Sequence, residues 1–256
     1  MEQPHKVRVK LEHISKSFKN NSKSPNHEVI RDVSFKVYDN EFLVLLGPGR
    51  CGKSVLLNIM AGLLTADWGS VSLDGEQIKG PNPQIGMVFQ KTGLLPWLTV
   101  MENTEFGPKM RGIGKTERQK LAQHFLNLVG LDGYEKNYPY QLSGGMKQRV
   151  GIARAYSNEP KLLIMDEPFG ALDAQTRYNM QNEILDIAKK EKRTIIFVTN
   201  NIEEALLLGD RIILFTSCPA QIKNIYEINL PKPRDSMQKE FLRLRREISD
   251  NTDLAL

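Results

Sequence analysis

The 256-residue chain predicts an α/β fold interrupted by an α-helical insert. Three observations carry that reading. Phe42-Leu43-Val44-Leu45-Leu46 is an unbroken apolar run ending at Gly47, the pattern of a strand buried on both faces. Similar runs return at 162–165, 194–198 and 211–215. Between 91 and 159 strand signals are missing, and apolar residues recur at helical spacing instead.

Val7, Val9 and Leu11 alternate with polar residues as in a half-buried strand, and Phe18 follows. The polar stretch 19–27 reads as a surface loop. Val33, Phe35 and Val37 alternate again, and Val71 and Leu73 lead into Asp74-Gly75, a hairpin turn signal; these stretches predict antiparallel β structure. A helix is expected over 55–64, and a strand through Ile85, Met87 and Phe89 ends at Gln90. Thr116-Glu117-Arg118-Gln119 reads as a capping box opening a helix through Leu121, Phe125, Leu128 and Val129, stopped by Gly130. Further helices are expected over 146–156, 174–190 and, after Lys232-Pro233-Arg234, 236–248. This organisation gives one domain over 1–230, with a helical insert at about 91–160, and a helical tail over 231–256.

The apolar and charged fractions, 40% and 25%, are those of a soluble globular protein. No 18 apolar residues run together, and residues 1–10 lack the apolar core of a secretory signal. Cys51 and Cys218 show neither metal nor disulfide spacing, which points to a reduced, cytosolic setting. Asn20-Asn21-Ser22 fits a glycosylation pattern that has no use without export. The net charge of +5 suits a neighbour of anionic lipid or nucleotide. Its basic residues are scattered, however, and Arg243, Arg245 and Arg246 read as a solvated helix face, so no nucleic-acid partner is expected.

Gly47-Pro48-Gly49-Arg50-Cys51-Gly52-Lys53-Ser54, followed by Val55, has the spacing of a phosphate-binding loop between strand and helix. Gly47 and Gly52 permit a tight backbone whose N–H groups face a phosphate. Lys53 supplies a point charge, and the Ser54 hydroxyl suits Mg²⁺. About 90 residues later, Leu142-Ser143-Gly144-Gly145-Met146 opens a helical pattern. Its free backbone donors and positive helix end make a second anion site. Asp166-Glu167 ends a buried strand, where carboxylates lie near a phosphate crevice.

Together these motifs resemble the ATP-binding cassette family over roughly 7–248, nearly the whole chain. The resemblance implies a P-loop NTPase core with an antiparallel β subdomain and an inserted α-helical subdomain, binding ATP and Mg²⁺ between two head-to-tail ATPase subunits, homo- or heteromeric. It implies that Ser143, Gly144 and Gly145 close over the partner's γ-phosphate and that Asp166 holds Mg²⁺ through water. Glu167 would polarise the attacking water, Gln90 would touch metal and water, and Gly170-Ala171-Leu172-Asp173 would cross the dimer interface. Phe18 occupies the position that stacks on adenine; a core or loop-anchoring role is the alternative. Leu94-Leu95-Pro96-Trp97 falls where an integral membrane permease docks, with a core role for Trp97 equally open. Details of 94–100, 166–173 and Leu230-Pro231-Lys232-Pro233-Arg234 are most similar to the ATPases of nitrate, sulfonate, taurine and bicarbonate importers. Those sit peripherally on the cytoplasmic face of the membrane and are served indirectly by an extracytoplasmic solute-binding protein.

Two departures from the family stand out. Gly49-Arg50 replaces the usual Ser-Gly; Arg50 either points to solvent or adds charge near the triphosphate. Asn200, in Thr199-Asn200-Asn201, replaces the histidine that hydrogen-bonds the γ-phosphate. Its amide still donates, but it is shorter than imidazole and never cationic. Weakened hydrolysis, or pairing with a competent ATPase that leaves this chain as a nucleotide-gated subunit, follows from it. A soluble, non-transport cassette is a third possibility.

Overall fold

The computed structural model describes residues 6–19 and 27–252, in two units: one runs to Asn82 and resumes at Thr194, the other spans Pro83–Arg193. In the first unit, strands β1 (Val7–Phe18) and β2 (His27–Tyr38) pair antiparallel. Strand β3 (Phe42–Leu46) and helix α1 (Lys53–Met60) follow, then β4 (Trp68–Leu73) and β5 (Glu76–Gln77). The antiparallel sheet has the order β2-β1-β4-β5. Leu11 lies opposite Phe35 and Val71, so the alternating apolar positions share one buried face. Asp74 and Gly75 both have positive φ, as a two-residue hairpin turn requires. The Arg8 side chain ties the two turns of this sheet together, pairing with Asp39 and Asp74.

Strand β3 carries the phosphate loop. In the second half of the unit, β8 (Thr194–Thr199) and β9 (Arg211–Phe215) flank it in parallel, and β10 (Ile222–Glu227) adds antiparallel to β9. All residues of β3 and β8 are buried, which is why their sequences are continuously apolar rather than alternating. Helix α7 (Ile202–Leu208) and helix α8 (Lys239–Asn251) complete the unit. Fully buried Phe241 and Ile248 fix the face that α8 turns inward.

Arg234 anchors the segment before α8. Its guanidinium donates to the carbonyls of Leu206 and Gly209 at 2.6 Å each, and to those of Leu230 and Ile228 at 3.1 Å each. It satisfies carbonyls at the end of α7 that no helical N–H reaches.

The second unit holds the parallel pair β6 (Ile85–Val88) and β7 (Leu162–Asp166), with helices α2 (Val100–Thr104), α3 (Phe106–Met110), α4 (Lys115–Leu128), α5 (Gly144–Tyr156) and α6 (Ala174–Glu191). Phe125 of α4 stacks on Tyr156 of α5 with ring centroids 5.7 Å apart. Buried Asn103 pins the preceding loop, accepting from the Leu95 N–H and donating to the carbonyls of Leu95, Leu98 and Thr99. Among the described residues no helix is long and apolar enough to cross a membrane.

Several elements differ from expectation. The helix predicted over 55–64 stops at Met60, because Gly62 turns to φ +72 with a backbone carbonyl packed against it. The capping box expected at Thr116 does not form: Gly114 takes the cap position, so Thr116 lies inside α4. A capping box closes instead between Thr99 and Glu102 at the start of α2. The tail helix begins at Lys239, after a turn in which Asp235 accepts from the Met237 N–H. Helix α7 and strand β10 were not anticipated. The Asn20-Asn21-Ser22 pattern, and most of the loop expected over 19–27, lie outside the described residues.

Arg234→Ala leaves its buried carbonyls without a donor and is expected to cost about 2–4 kcal/mol, read as a lowered urea midpoint. Arg234→Lys should recover little, since one ammonium cannot reach acceptors in so many directions. An unchanged midpoint in the alanine variant would show that the tail is not anchored there.

Candidate nucleotide site

The first unit builds the phosphate loop from the end of β3. Gly47 is buried against Phe215 of β9, whose Cβ and carbonyl would lie 3.1 and 3.3 Å from any added Cβ. Gly52 caps α1 at φ +117, with the Val29 carbonyl 2.8 Å from where a Cβ would stand. Only glycine fits both demands. Lys53 is buried, and its ammonium donates to the carbonyls of Gly47 at 2.7 Å and Pro48 at 2.6 Å. The lysine thereby bridges the two ends of its own loop. Cys51, 2% exposed, fills the space beneath, its sulfur 3.7 Å from the ammonium. Ser54 is exposed on the first turn of α1 and Val55 is half-buried beside it.

Arg50 is exposed at φ +61 and has no hydrogen bond or ion pair among the described residues. Space around Gly49 is open. That geometry accounts for the family's Ser-Gly at these positions: a serine fits at the first, and the second has the left-handed backbone that glycine adopts at least cost. Phe18, at the end of β1, is 40% exposed with the Lys16 ammonium 5.6 Å from its ring centroid, so it is not a core residue. Leu46 lies opposite Thr199, and this register carries Asn200 to the loop's side of the sheet. Asn200 is exposed and shares with Pro48 and Gly49 a cavity of about 1360 Å³. Its neighbour Asn201 caps α7, accepting from the Glu204 N–H at 3.0 Å.

The remaining candidates lie in the second unit. Ser143 caps α5, its hydroxyl accepting from the Met146 N–H at 3.3 Å. Gly144 has open space around it, whereas an added Cβ on Gly145 would come within 2.8 Å of Thr176 Cγ2 on α6. Asp166 ends β7. Glu167 follows at φ +41, a strained conformation for a glutamate and of the kind that clusters at functional sites. A Cβ on Gly170 would lie 3.6 Å from Gln90 Nε2 and 3.4 Å from the Glu167 carbonyl, so Gln90 and the Glu167 turn converge there. Asp173 caps α6; the N–H of Thr176 holds its carboxyl below the usual range. Trp97 is 70% exposed, which excludes a core role.

Sequence reasoning took the α8 arginines as a plain solvated face. They are exposed, yet Arg243, Arg245 and Arg246 line the same cavity as Pro48, Gly49 and Asn200. The spacing of Lys239, Leu242, Arg243 and Arg246 on one helix face was the available signal.

A family model described as ABC transporter matches residues 30–170, more than half of the chain. The chain belongs to the ABC transporter family. The cassette is 48% identical over 243 residues to an uncharacterised ABC transporter ATP-binding protein of Methanocaldococcus jannaschii, covering 95% of this chain and 90% of that one. It is 46% identical to a taurine import ATP-binding protein of Pelagibacter ubique, covering 82% and 79%. To an aliphatic sulfonates import ATP-binding protein of Bacillus cereus it is 40% identical, covering 94% of each. A solved dimeric cassette in a post-hydrolysis state with ADP and Pi superimposes with a TM-score of 0.77 at 29% identity, covering 87% of this cassette and all of that chain.

Gly145→Ala should force α5 and α6 apart and destabilise the cassette by about 1–2 kcal/mol. Thr176→Ser removes the opposing methyl and should restore most of the loss in the double variant. Additive losses in thermal or urea unfolding would disprove this close approach.

Proposed function

We propose that this cassette is the ATP-binding and ATP-hydrolysing subunit of an importer for small anionic solutes, of the taurine, sulfonate, nitrate or bicarbonate type. The observation that carries the reading is the phosphate loop: buried Lys53 and the N–H groups opening α1 form a preset cradle for a phosphate chain. The import ATP-binding proteins to which the cassette is similar support the transport role and the cargo class. The Bacillus cereus match, 240 residues long, is long enough to reach into the tail.

In this reading the triphosphate lies on the loop with adenine against Phe18. Glu167 orients the attacking water, and Gln90 couples that water to the helical insert. Ser143, Gly144 and Gly145 of a second ATPase subunit close over the γ-phosphate. The hydroxyl of Ser54, the amide oxygen of Gln90 and the carboxylate of Asp166 are hard oxygen donors that fit Mg²⁺, an ion that takes few protein ligands beside phosphate and water. Bound there, Mg²⁺ neutralises phosphate charge that develops during transfer. Asp173 lies on the segment that meets the second subunit. Exposed Trp97, on the loop that Asn103 pins, supplies an anchor for the membrane permease, and places the cassette peripherally at the cytoplasmic face. An extracytoplasmic solute-binding protein delivers the cargo to that permease, and no nucleic acid takes part.

A second reading has an observation of its own. Asn200 is exposed and makes no hydrogen bond among the described residues, so nothing already orients it for catalysis. The cassette would then gate transport by binding nucleotide while pairing with a competent ATPase.

Glu167→Gln is expected to lower Mg-ATP turnover by about 10²–10⁴ without abolishing nucleotide binding. A native rate in this variant removes Glu167 from its role. Asn200→His should raise turnover; an unchanged rate would mean that the amide is not what limits hydrolysis. Activity that appears only in Asn200→His would favour the second reading.

A further inference from the structure

The cavity beside the phosphate loop has three walls within the first unit: Pro48 and Gly49, the segment from Asn200 to Glu203 that leads into α7, and one face of α8. The lining positions of α8 include Lys239, Leu242, Arg243, Arg246 and Ser249, which recur at helical spacing along one side. Buried Phe241 and Ile248 hold that orientation, and Arg234 fixes the approach to the helix. The face is therefore set by packing rather than free to roll away.

The positive charge lining this cavity has one source. Its lining cations are Lys239, Arg243, Arg245 and Arg246, all from α8, against the two carboxylates of Glu203 and Asp250. Arg243 pairs with Glu240, and Arg245 approaches Glu203 at 4.0 Å. Lys239 and Arg246 have no carboxylate partner among the described residues. Of the other groups near the loop, Asn200 is neutral and the Lys53 ammonium is engaged with its own loop, while exposed Arg50 is a cation of the loop itself that does not line the cavity. A volume of about 1360 Å³ leaves ample room for a phosphate chain and its water. Charges that line one shared cavity can act on a phosphate without direct contact, since screening lengths are about 8 Å at physiological salt.

We propose that the basic face of α8, chiefly Arg243 and Arg246, is a third wall of the nucleotide site that favours a nucleoside triphosphate over a diphosphate by attracting its terminal phosphate. The proposal rests on the nucleotide-binding reading above and adds to it a specificity element outside the loop. A triphosphate carries one more phosphate group than a diphosphate, so cations on the loop's outer edge act selectively on it. The C-terminal tail thereby sets the preference between the state that closes the cassette and the state that releases it.

The test compares binding of a non-hydrolysable ATP analogue and of ADP, each with Mg²⁺, to the full chain by calorimetry. The double variant Arg243→Glu/Arg246→Glu should weaken analogue binding by about tenfold while changing ADP binding less than about threefold, as expected for charge acting on one phosphate. Arg243→Lys/Arg246→Lys should retain the preference, and Glu247→Gln, on the same helix outside the cavity, should leave both affinities unchanged. Both arginines are exposed, so thermal melting will show whether each variant stays folded. Equal weakening for both nucleotides, or none, overturns the proposal. So does a double variant that keeps the nucleotide preference but no longer binds inorganic sulfate that the native chain binds in the same calorimeter, which would assign the face to a separate anion. Failure of the native chain to bind either nucleotide refutes the functional reading itself and takes this inference with it.

Discussion

Strand β3 is the constraint on which the nucleotide site depends. Its five residues are buried on both faces and held in register between β8 and β9. A parallel strand so placed has no freedom to slip, because a one-residue shift would break two ladders at once. Gly47 inherits that rigidity through its packing on Phe215. Asn200 inherits it through the pairing of Leu46 with Thr199. The loop can therefore be glycine-rich and still be well placed: its ends are fixed by apolar burial, and its interior is drawn together by one buried ammonium.

The polar groups among the candidate residues of the two units do two kinds of work, and each unit's structure separates them. Ser143, Asp173 and Asn201 each cap a helix, satisfying backbone donors at the starts of α5, α6 and α7. Glu167 does something else. It stands in a left-handed conformation next to Asp166, in a turn that brings Gln90 close. Strain of that kind persists only where the surroundings over-determine it, here by buried β7 on one side and buried Phe169 on the other.

How much could be read beforehand follows from how each feature is encoded. Burial on two faces writes itself as an apolar run, so β3, β7, β8 and β9 were plain. The phosphate loop was plain because its glycines answer steric demands that no other residue meets. Helix α7 was hidden because its seven residues make under two turns, too short a stretch for apolar spacing to be read. Edge strand β10 was hidden because only Tyr226 is buried and apolar Ile225 stands exposed among polar neighbours, so no alternation shows. The cap at Thr116 misled because a neighbouring glycine competed for the position, and local sequence does not decide such contests. The spacing of the α8 cations was legible but the cavity they line was not, because it depends on where Arg234 fastens the tail, a contact between residues distant in sequence.

The order of strands has a consequence for biosynthesis. β3 leaves the ribosome early, yet the strands that flank it end at Thr199 and Phe215. At ordinary translation speeds of about 5–20 residues per second, roughly ten to thirty seconds separate the phosphate loop from its supports. During that interval the most apolar segment of the first unit has neither neighbour and must be shielded from other chains. A nascent chain that terminates before Phe215 cannot frame its phosphate loop at all. Long-range parallel pairing of this kind folds slowly, but it also ensures that a shortened cassette presents no framed phosphate loop.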